Sequence, residues 1–245
     1  MSKNLVIIPT YKEKENIANM IETVLSLPVP FHVLIVDDGS PDGTADIVKE
    51  KQKQYSDRLY LIEREGKLGL GTAYIRGFRW GLEHGYDYIF EMDCDFSHNP
   101  IDLCRLHETL TTGGADVAVG SRYIPGGKLV NWPWDRIFIS RGASFYVQLF
   151  TWLPVKDSTA GFVGYRREVL ETIDLNKIEF IGYAFQVEMK FAAWQLGFKI
   201  KEIPITFTER VLGTSKMSSG IVKEAAFGVL KMRLQSFFKT YKSES

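Results

Sequence analysis

The sequence predicts an α/β fold with a mostly parallel central sheet. Short runs of β-branched and other apolar residues alternate with segments of helical periodicity in the first half of the chain, which is the pattern of successive βαβ units. The 245 residues are 45% hydrophobic and include 16 Phe, which is enough for one large core. No linker, internal repeat or low-complexity segment divides them. We therefore predict a single domain over residues 1–245.

The first half contains four strands and three helices by this reading. The first helix is the clearest, because its apolar residues share one face: Ile17, Met20, Ile21, Val24 and Leu25. The predicted strands are 5–8, 33–36, 59–62 and 88–92, and the predicted helices are 17–25, 44–55 and 72–83. The fourth strand runs directly into Asp93.

The second half is less regular. Its predicted strands are 117–120, 162–166 and 199–207, and its predicted helices are 141–152, 185–196 and 221–241. Pro204 has no backbone N–H to donate, so we expect the last of these strands to lie at an edge or to be distorted.

Composition and termini exclude several classes of protein. Thirty basic and thirty acidic residues give no net charge, which argues against nucleic-acid binding. Cys94 and Cys104 are too few for a disulfide framework, and the N-terminus lacks the pattern of a signal peptide. The longest apolar stretch, 143–155, is too short to cross a membrane. The expected location is cytoplasmic.

Two acidic residues, Asp93 and Asp95, follow the fourth predicted strand. In open α/β sheets, ligands bind beyond the carboxyl ends of the strands. Carboxylates one residue apart can both reach a hard cation such as Mg²⁺ or Mn²⁺ and leave coordination positions for a diphosphate. The alternative is a turn in which either Asp caps the helix near Pro100. The position after a buried strand favours the metal site.

A second strand ends in the acidic segment 37–44. An Asp at this position can accept hydrogen bonds from ribose hydroxyls or a base N–H. The alternative is a turn that caps the following helix. We assign Asp38 to the nucleotide, and Asp42 or Ser40 to capping.

Glycines at 66, 69 and 71 precede the third helix, whose N-terminus could attract phosphate. The segment matches neither the P-loop nor the dinucleotide fingerprint. A flexible loop near the donor and a direct phosphate clamp are both left open.

Basic and aromatic residues are concentrated in the second half. Arg122, Arg136, Arg141 and the segment 210–216 could bind anions, the last as a mobile lid carrying Arg210 and Lys216. Each basic residue alone is more often simple solvated surface. The aromatic cluster Phe145, Tyr146, Phe150 and Trp152 is typical of an interfacial segment, with core packing as the alternative. For the last helix, core packing is favoured over membrane contact. The four histidines show no metal-binding spacing.

Together these motifs resemble the family 2 glycosyltransferases, and within them the dolichyl-phosphate mannosyltransferase (polyprenol monophosphomannose synthase) group. The resemblance covers nearly the whole chain and runs through 8–13, 36–44, 67–74, 92–98, 120–123, 139–143 and 210–216. It implies a Rossmann-like GT-A domain with a nucleotide-binding half, 1–120, and an acceptor-binding half, 121–245, that carries membrane-surface helices. Cys94 stands where the group usually has Ala.

The resemblance also implies the ligands of this site. It gives GDP-mannose as donor, polyprenyl phosphate in the membrane as acceptor, and Mg²⁺ or Mn²⁺ as cofactor. The implied nucleotide-sugar residues are Pro9, Tyr11, Glu13, Val36, Asp38, Asp93, Cys94, Asp95, Arg210 and Lys216. The implied acceptor-phosphate residues are Arg122, Arg136 and Ser140, the metal residues are Asp93, Asp95 and Ser97, and the catalytic residues are Asp93, Asp95, Arg122 and Arg210.

The implied reaction is direct displacement that inverts the anomeric centre and yields polyprenyl phosphate β-mannose. The phosphate acceptor needs no general base, because much of it is a dianion at neutral pH. A related enzyme that uses UDP-glucose or another sugar nucleotide is the first alternative, and a non-catalytic nucleotide-binding protein is a remote one. The chain is expected to act at the inner face of the membrane, by surface contact or through a membrane-anchoring partner protein.

Overall fold

The computed structural model describes residues 2–182, 184–209, 228–238 and 240–243. A seven-stranded sheet in the order β3-β2-β1-β4-β7-β5-β8 forms its centre, and β6 and β9 form a separate two-stranded sheet. The strands are β1 (Asn4–Thr10), β2 (Phe31–Asp37), β3 (Leu59–Glu63), β4 (Tyr88–Glu91), β5 (Val117–Ser121), β6 (Lys128–Val130), β7 (Val163–Arg166), β8 (Ile200–Pro204) and β9 (Thr206–Thr208).

Seven helices are assigned within the described residues. They are α1 (Ile17–Leu25), α2 (Thr44–Gln52), α3 (Leu70–Glu83), α4 (Asp102–Thr111), α5 (Trp134–Thr151), α6 (Arg167–Thr172) and α7 (Ala184–Gln195). Residues 228–235 are also helical. No helix in the described part of the chain is both long and apolar enough to span a bilayer.

The central sheet is mostly parallel, as predicted. Strands β1, β2, β3 and β4 pair in parallel, and so do β5 and β8. The exception is β7, which lies antiparallel between β4 and β5. This strand brings the chain from the second half into the middle of the sheet. The functional division at residue 120 stays a prediction.

Both faces of the sheet are buried, because successive side chains of a strand point to opposite faces. Leu5 and Ile7 of β1 pack on one side with α3, in the core that also contains Phe78. Val6 and Ile8 pack on the other side with α1. The continuous apolar run of β1 is therefore required by helices on both sides.

Two predicted elements differ most from the structure, and α4 was not among the predicted helices. The helix predicted over 141–152 begins earlier, at Trp134, one residue after Pro133. The strand predicted over 199–207 is divided after Pro204, so that β8 forms the edge of the central sheet and β9 pairs with β6. Pro204 lies at this break, as its missing N–H led us to expect. Part of the helix predicted over 221–241, residues 221–227, lies outside the described residues.

Candidate active site

The candidate site lies at the carboxyl ends of β2, β1 and β4. In the sheet register Thr10 pairs with Asp37, and Ile7 pairs with Glu91. The residues that follow these strands, including Tyr11, Asp38 and Asp93, therefore leave the sheet at one common edge. The three segments therefore share one edge of the sheet, as expected, and their role as a ligand site stays a prediction.

The acidic loop after β4 is held by the backbone around it. Asp95 is 8% exposed, and its Oδ1 accepts a hydrogen bond from the backbone N of Ser97 over 3.0 Å. Ser97 in turn accepts at its backbone O from Thr208 N over 3.0 Å, which attaches the loop to β9. Phe96, which lies between Asp95 and Ser97 in sequence, has a left-handed backbone conformation, with φ 57°. Asp93 is half-buried and Cys94 is buried.

The described residues contain no group of three or more His, Cys, Asp or Glu side chains arranged to hold a metal. Asp93 and Asp95, which we call the acidic pair, have one residue between them in sequence, and Ser97 follows Asp95 at the same spacing. His98 is fixed nearby, because its ring stacks on Phe162 with 4.9 Å between centroids. Burial lowers the pKa of His98 to about 4, so the ring is neutral at physiological pH.

On the nucleotide side, Asp38 has a partner that we did not predict. Arg64 donates from Nε to Asp38 Oδ1 over 2.7 Å, and both side chains are 9% exposed. Burial raises the pKa of Asp38, whereas the hydrogen bond and charge of Arg64 oppose that shift. Arg64 follows β3, so the strand-end rule applied to β3 would have found it.

The neighbouring acidic residues stabilise the turn. Asp37 accepts from the Thr10 hydroxyl over 2.7 Å and from the backbone N of Ser40 over 2.8 Å. Asp42 accepts from the backbone N of Thr44 over 3.2 Å, at the first residue of α2. Asp42 therefore performs the capping that we expected, although Gly43 is the residue that immediately precedes the helix.

The remaining predicted nucleotide residues lie around this edge. Pro9 pairs with Val36 between β1 and β2, and the Val36 side chain is fully buried, so only its backbone faces the edge. Two lysines flank the Tyr11 ring, with the Nζ of Lys12 and of Lys67 at 5.6 and 5.5 Å from its centroid. Glu13 accepts a hydrogen bond from Asn16 Nδ2 over 3.1 Å.

The glycine loop before α3 is packed tightly against the segment before α7. Gly71 donates from its backbone N to the carbonyl of Ile181 over 2.8 Å. A Cβ on Gly71 would lie 2.8 Å from the Phe180 carbonyl oxygen and 2.8 Å from the Phe185 ring. Close packing is therefore one reason for glycine here, and a role as phosphate clamp stays a prediction.

On the acceptor side, Arg122 follows β5 and is bound by Asp157. Its Nε donates to Asp157 Oδ2 over 2.8 Å, and its Nη2 donates to Asp157 Oδ1 over 2.6 Å. Burial lowers the pKa of Arg122, but the hydrogen bond and charge of Asp157 outweigh burial, so the pKa is raised. The charge of Asp93 in the acidic loop adds a smaller effect in the same direction. Arg136 on α5 donates to Glu209 over 2.8 Å.

Tyr123 lies beside two predicted acceptor-phosphate residues, Arg122 and Ser140, and beside Arg141, which we named only as a candidate for anion binding. Its ring is 5.1 Å from the guanidinium carbon of Arg122 and 5.2 Å from that of Arg141. Ser140 is close enough to influence the pKa of the Tyr123 hydroxyl, which burial raises. The structure therefore brings Arg122 and Ser140 together around an aromatic residue that we did not predict. Arg210 and Lys216 lie outside the described residues.

Beneath the acidic loop lies a buried polar pair that sequence analysis also missed. Lys190 is fully buried, and its Nζ donates to the carbonyls of Ala160 and Gln186 over 2.7 and 2.9 Å. Burial raises the pKa of Glu91 to about 8 and lowers that of Lys190 to about 8.

Helix α5 has an exposed apolar face, which we call the outer face of α5. Trp134 is 81% exposed, Phe145 67% and Trp152 70%. The outer face consists of Trp134, Phe138, Phe145, Leu149 and Trp152. Its opposite side is buried through Ser144, Val147 and Thr151. An apolar stripe at helical spacing therefore faces away from the core of the described residues.

The chain matches the model of the glycosyl transferase family 2 over residues 5–174. It belongs to glycosyltransferase family 2. The match covers the strands and loops that carry Asp38, Asp93, Asp95 and Arg122. The family expected from the sequence motifs is confirmed, and so is the α/β fold with a mostly parallel sheet.

This glycosyltransferase is similar to two curated mannosyltransferases along most of their length. It is 47% identical to the polyprenol monophosphomannose synthase of Mycolicibacterium smegmatis over 227 residues, which is 93% of this chain and 85% of that protein. It is 48% identical to the undecaprenyl-phosphate mannosyltransferase of Micrococcus luteus over 230 residues, which is 94% and 93% of the two chains.

Solved structures share the fold at lower identity. A glucosyl-3-phosphoglycerate synthase from Mycobacterium tuberculosis superposes with a TM-score of 0.66 at 17% identity, covering 96% of this chain and 80% of that one. A mannosyltransferase from Pyrobaculum calidifontis, in complex with GDP-mannose and Mn²⁺, gives a TM-score of 0.60 at 17% identity. The coverage in that comparison is 98% of this chain and 66% of the other.

Proposed function

We propose that this family 2 glycosyltransferase transfers mannose from GDP-mannose to a polyprenyl phosphate, with inversion at the anomeric carbon. The observation that carries the proposal is the identity of 47% and 48% to two mannosyltransferases named for polyprenol or undecaprenyl phosphate, over more than nine tenths of this chain. The arrangement of the site supports the proposal, because Asp38, the acidic pair and Arg122 border one region at the carboxyl ends of the parallel strands.

The acidic pair has the chemistry to hold a divalent cation. Asp93 and Asp95 offer carboxylate oxygens and Ser97 a hydroxyl, which are the hard ligands that Mg²⁺ and Mn²⁺ prefer. Two carboxylates fill only part of an octahedral shell, so diphosphate oxygens and water would complete it. A bound divalent ion would neutralise charge on the departing diphosphate. The metal is Mg²⁺ or Mn²⁺.

The protein groups position the two substrates and supply positive charge. On the donor side, Asp38 and the edge around Tyr11 bind the nucleoside, and Arg210 and Lys216 contact the diphosphate. On the acceptor side, Arg122, Arg136 and Ser140 bind the phosphate. That phosphate is the nucleophile and has a second pKa near ~6, so it attacks without a general base. The contribution of the enzyme is therefore positioning and electrostatic stabilisation.

The outer face of α5 supplies a surface for the membrane that contains the acceptor. Large aromatic and aliphatic side chains beside basic residues are typical of helices that lie in the membrane interface. The guanidinium of Arg233 lies 4.8 Å from the Trp152 ring and 4.7 Å from the Phe237 ring, joining this face to the exposed Phe237 and Phe238. Arg136 and Ser140 lie on the same helix. We place the enzyme at the inner face of the membrane.

A transfer assay tests the function. Purified protein is incubated with Mg²⁺ or Mn²⁺, a short polyprenyl phosphate and labelled GDP-mannose, UDP-glucose or UDP-N-acetylglucosamine. We expect transfer from GDP-mannose, a β-linked product by NMR, and loss of transfer when a chelator removes the metal. Transfer from UDP-glucose alone would identify the alternative donor. A product that retains the α configuration would contradict direct displacement.

The acidic pair is tested in the same assay. We expect Asp95→Ala to abolish transfer while the far-UV CD spectrum is unchanged. Asp116→Asn is the matched control, because Asp116 precedes β5 at the opposite edge of the sheet and its carboxylate accepts from Lys199 N over 2.9 Å. Full activity of Asp95→Ala would show that the acidic pair is not the metal site.

A further inference from the structure

Three of the five N–H groups of the Arg122 guanidinium are used within the protein. Nε donates to Asp157 Oδ2 over 2.8 Å, and Nη2 donates to Asp157 Oδ1 over 2.6 Å and to Thr159 Oγ1 over 3.0 Å. The backbone N of Arg122 donates to the same Asp157 oxygen as Nε, over 2.9 Å. Only Nη1 makes no hydrogen bond with the described residues.

The carboxylate of Asp157 is itself held in place. Asp157 is 0% exposed, and its backbone N donates to Glu202 Oε1 over 2.9 Å. The backbone N of Lys156 donates to the other oxygen of Glu202 over 2.8 Å. Glu202 lies on β8 and pairs with Val119 on β5, the strand that ends immediately before Arg122. Two neighbouring strands therefore set the position of Asp157 relative to Arg122.

Aromatic rings surround the same guanidinium. The centroids of Tyr123, Trp132 and Phe207 lie 5.1, 5.5 and 5.5 Å from its central carbon. Rings at this distance interact favourably with a cation and limit the rotation of the group. Bidentate pairing with a carboxylate fixes the plane of a guanidinium. Together the rings and Asp157 hold the plane of the guanidinium and leave Nη1 without a hydrogen-bond partner among the described residues.

We propose that Asp157 is a positioning residue for the transfer reaction. Asp157 accepts from Nε and Nη2, and Thr159 accepts from the second N–H of Nη2. Asp157 thereby directs the remaining Nη1 edge of Arg122 toward the acceptor phosphate. The role rests on the proposed function, in which Arg122 binds that phosphate. Asp157 does not touch the substrate; it determines which edge of Arg122 does.

The Asp157→Asn variant tests this role, because it keeps the size of the side chain and replaces one carboxylate oxygen by an NH₂ group that cannot accept. The KM for polyprenyl phosphate and the KM for GDP-mannose are measured separately. We expect the acceptor KM to rise by about tenfold or more, since a charge-assisted hydrogen bond is lost. The donor KM should stay within about twofold of wild type, because Asp38 and Arg64 are untouched.

A milder variant covers the case in which Asp157→Asn does not fold. Thr159→Val removes only the hydroxyl that accepts from Nη2 and keeps the shape of the side chain. We expect its acceptor KM to rise by about two- to fivefold, in the range of one neutral partner lost. Val155→Ala is the matched control for loosening of this segment, because Val155 is 1% exposed and packs in the hydrophobic core. This variant should lower the melting temperature without changing one of the two KM values more than the other.

The outcomes separate the role from the function. A folded Asp157→Asn or Thr159→Val enzyme with wild-type acceptor KM and kcat would overturn the positioning role and leave the proposed function intact. A parallel rise of both KM values, matched by Val155→Ala, would also overturn it, since the effect would then be structural. A wild-type protein that transfers no sugar would overturn the proposed function and this role together.

Discussion

Arg64 connects Asp38, which follows β2, to Thr72 at the beginning of α3. Its Nε donates to Asp38 Oδ1 over 2.7 Å, and its Nη1 donates to the Thr72 hydroxyl over 2.8 Å. Its Nη2 also donates to the carbonyl of Gly69, the residue before α3, over 3.3 Å. The orientation of the Asp38 carboxylate therefore depends on a residue that follows β3.

Replacing Arg64 by Ala should weaken donor binding and destabilise the fold. Asp38 would lose its charged partner at a position where both side chains are 9% exposed, and removing one partner of a buried pair costs about 3–5 kcal/mol. We expect the KM for GDP-mannose to rise by about tenfold, which corresponds to about 1.4 kcal/mol, and the acceptor KM to be unchanged. Urea denaturation and separate substrate titrations measure the two effects.

Arg76→Ala is the control for the loss of one arginine, because Arg76 is exposed on α3. It should leave both the stability and the donor KM at wild-type values. A donor KM for Arg64→Ala that equals the control value would mean that Asp38 does not contact the nucleotide, or that it does so without Arg64.

The sequence predicted those features that are local along the chain. Apolar periodicity located α1 and the strands, and the rule that ligands bind beyond parallel strands identified Asp38 and Asp93. The periodicity and the strand-end rule both depend on residues that are close together in sequence. These patterns remain visible in the folded chain because both faces of the sheet are buried. Pro204 likewise marked the position where the last predicted strand is divided.

The residues that the sequence did not predict act through distant partners. Asp157 lies 35 residues from Arg122, and Glu209 lies 73 residues from Arg136. These pairings depend on strands that are distant in sequence: Glu202 of β8 holds the backbone of Asp157 beside β5, and Glu209 follows β9, which pairs with β6. No local sequence pattern encodes such a pairing. A single charged residue in a loop also has no periodicity from which a contact could be inferred.

Gly71→Ala should destabilise the start of α3. The added Cβ would lie 2.8 Å from the Phe180 carbonyl oxygen and from the Phe185 ring, so backbone or ring must move. Overpacking of this kind costs about 1–3 kcal/mol. Gly66→Ala, in the loop before α3, is the matched control, because its Cβ would have no atom within 4 Å. A lower denaturation midpoint for Gly71→Ala alone is the expected result, and equal midpoints for the two variants would contradict the packing argument.

Glu209→Gln should improve binding of the acceptor phosphate. Glu209 accepts from Arg136 Nη1 over 2.8 Å, and the two side chains are 25% and 36% exposed, so an incoming phosphate competes with this carboxylate. Exposed pairs are weak, and we expect the acceptor KM to fall by about two- to fivefold at low salt. The gain should shrink as ionic strength rises.

The control for Glu209→Gln is Glu171→Gln, which removes a carboxylate from another exposed pair with Arg167 on α6. Acceptor titrations of this variant should match wild type at every salt concentration. An unchanged or higher acceptor KM for Glu209→Gln would indicate that Glu209 supports Arg136 instead of competing with the substrate.

Protonation of His107 should make the fold less stable as the pH falls below about 6.5, the pKa of this residue in the unfolded chain. Its ring contacts those of Phe31, Tyr88 and Phe90, and its buried Nε2 has no hydrogen-bond partner among the described residues. Burial lowers the pKa of His107. The folded chain therefore takes up the proton at lower pH than the unfolded chain, and protonation favours unfolding.

The His107→Phe variant keeps an aromatic ring in this cluster and removes the titrating group. We expect the free energy of unfolding, measured in urea at pH 7, 6 and 5, to fall less steeply with decreasing pH than in wild type. Some slope should remain, because burial also lowers the pKa of His32 and of His98. His84→Gln, at an exposed position outside this aromatic cluster, is the control and should retain the wild-type slope. His107→Phe and wild type could instead lose stability in parallel from pH 7 to 5. That result would mean that His107 is protonated in the folded protein as readily as in the unfolded chain. Burial in the aromatic cluster would then not disfavour its charge.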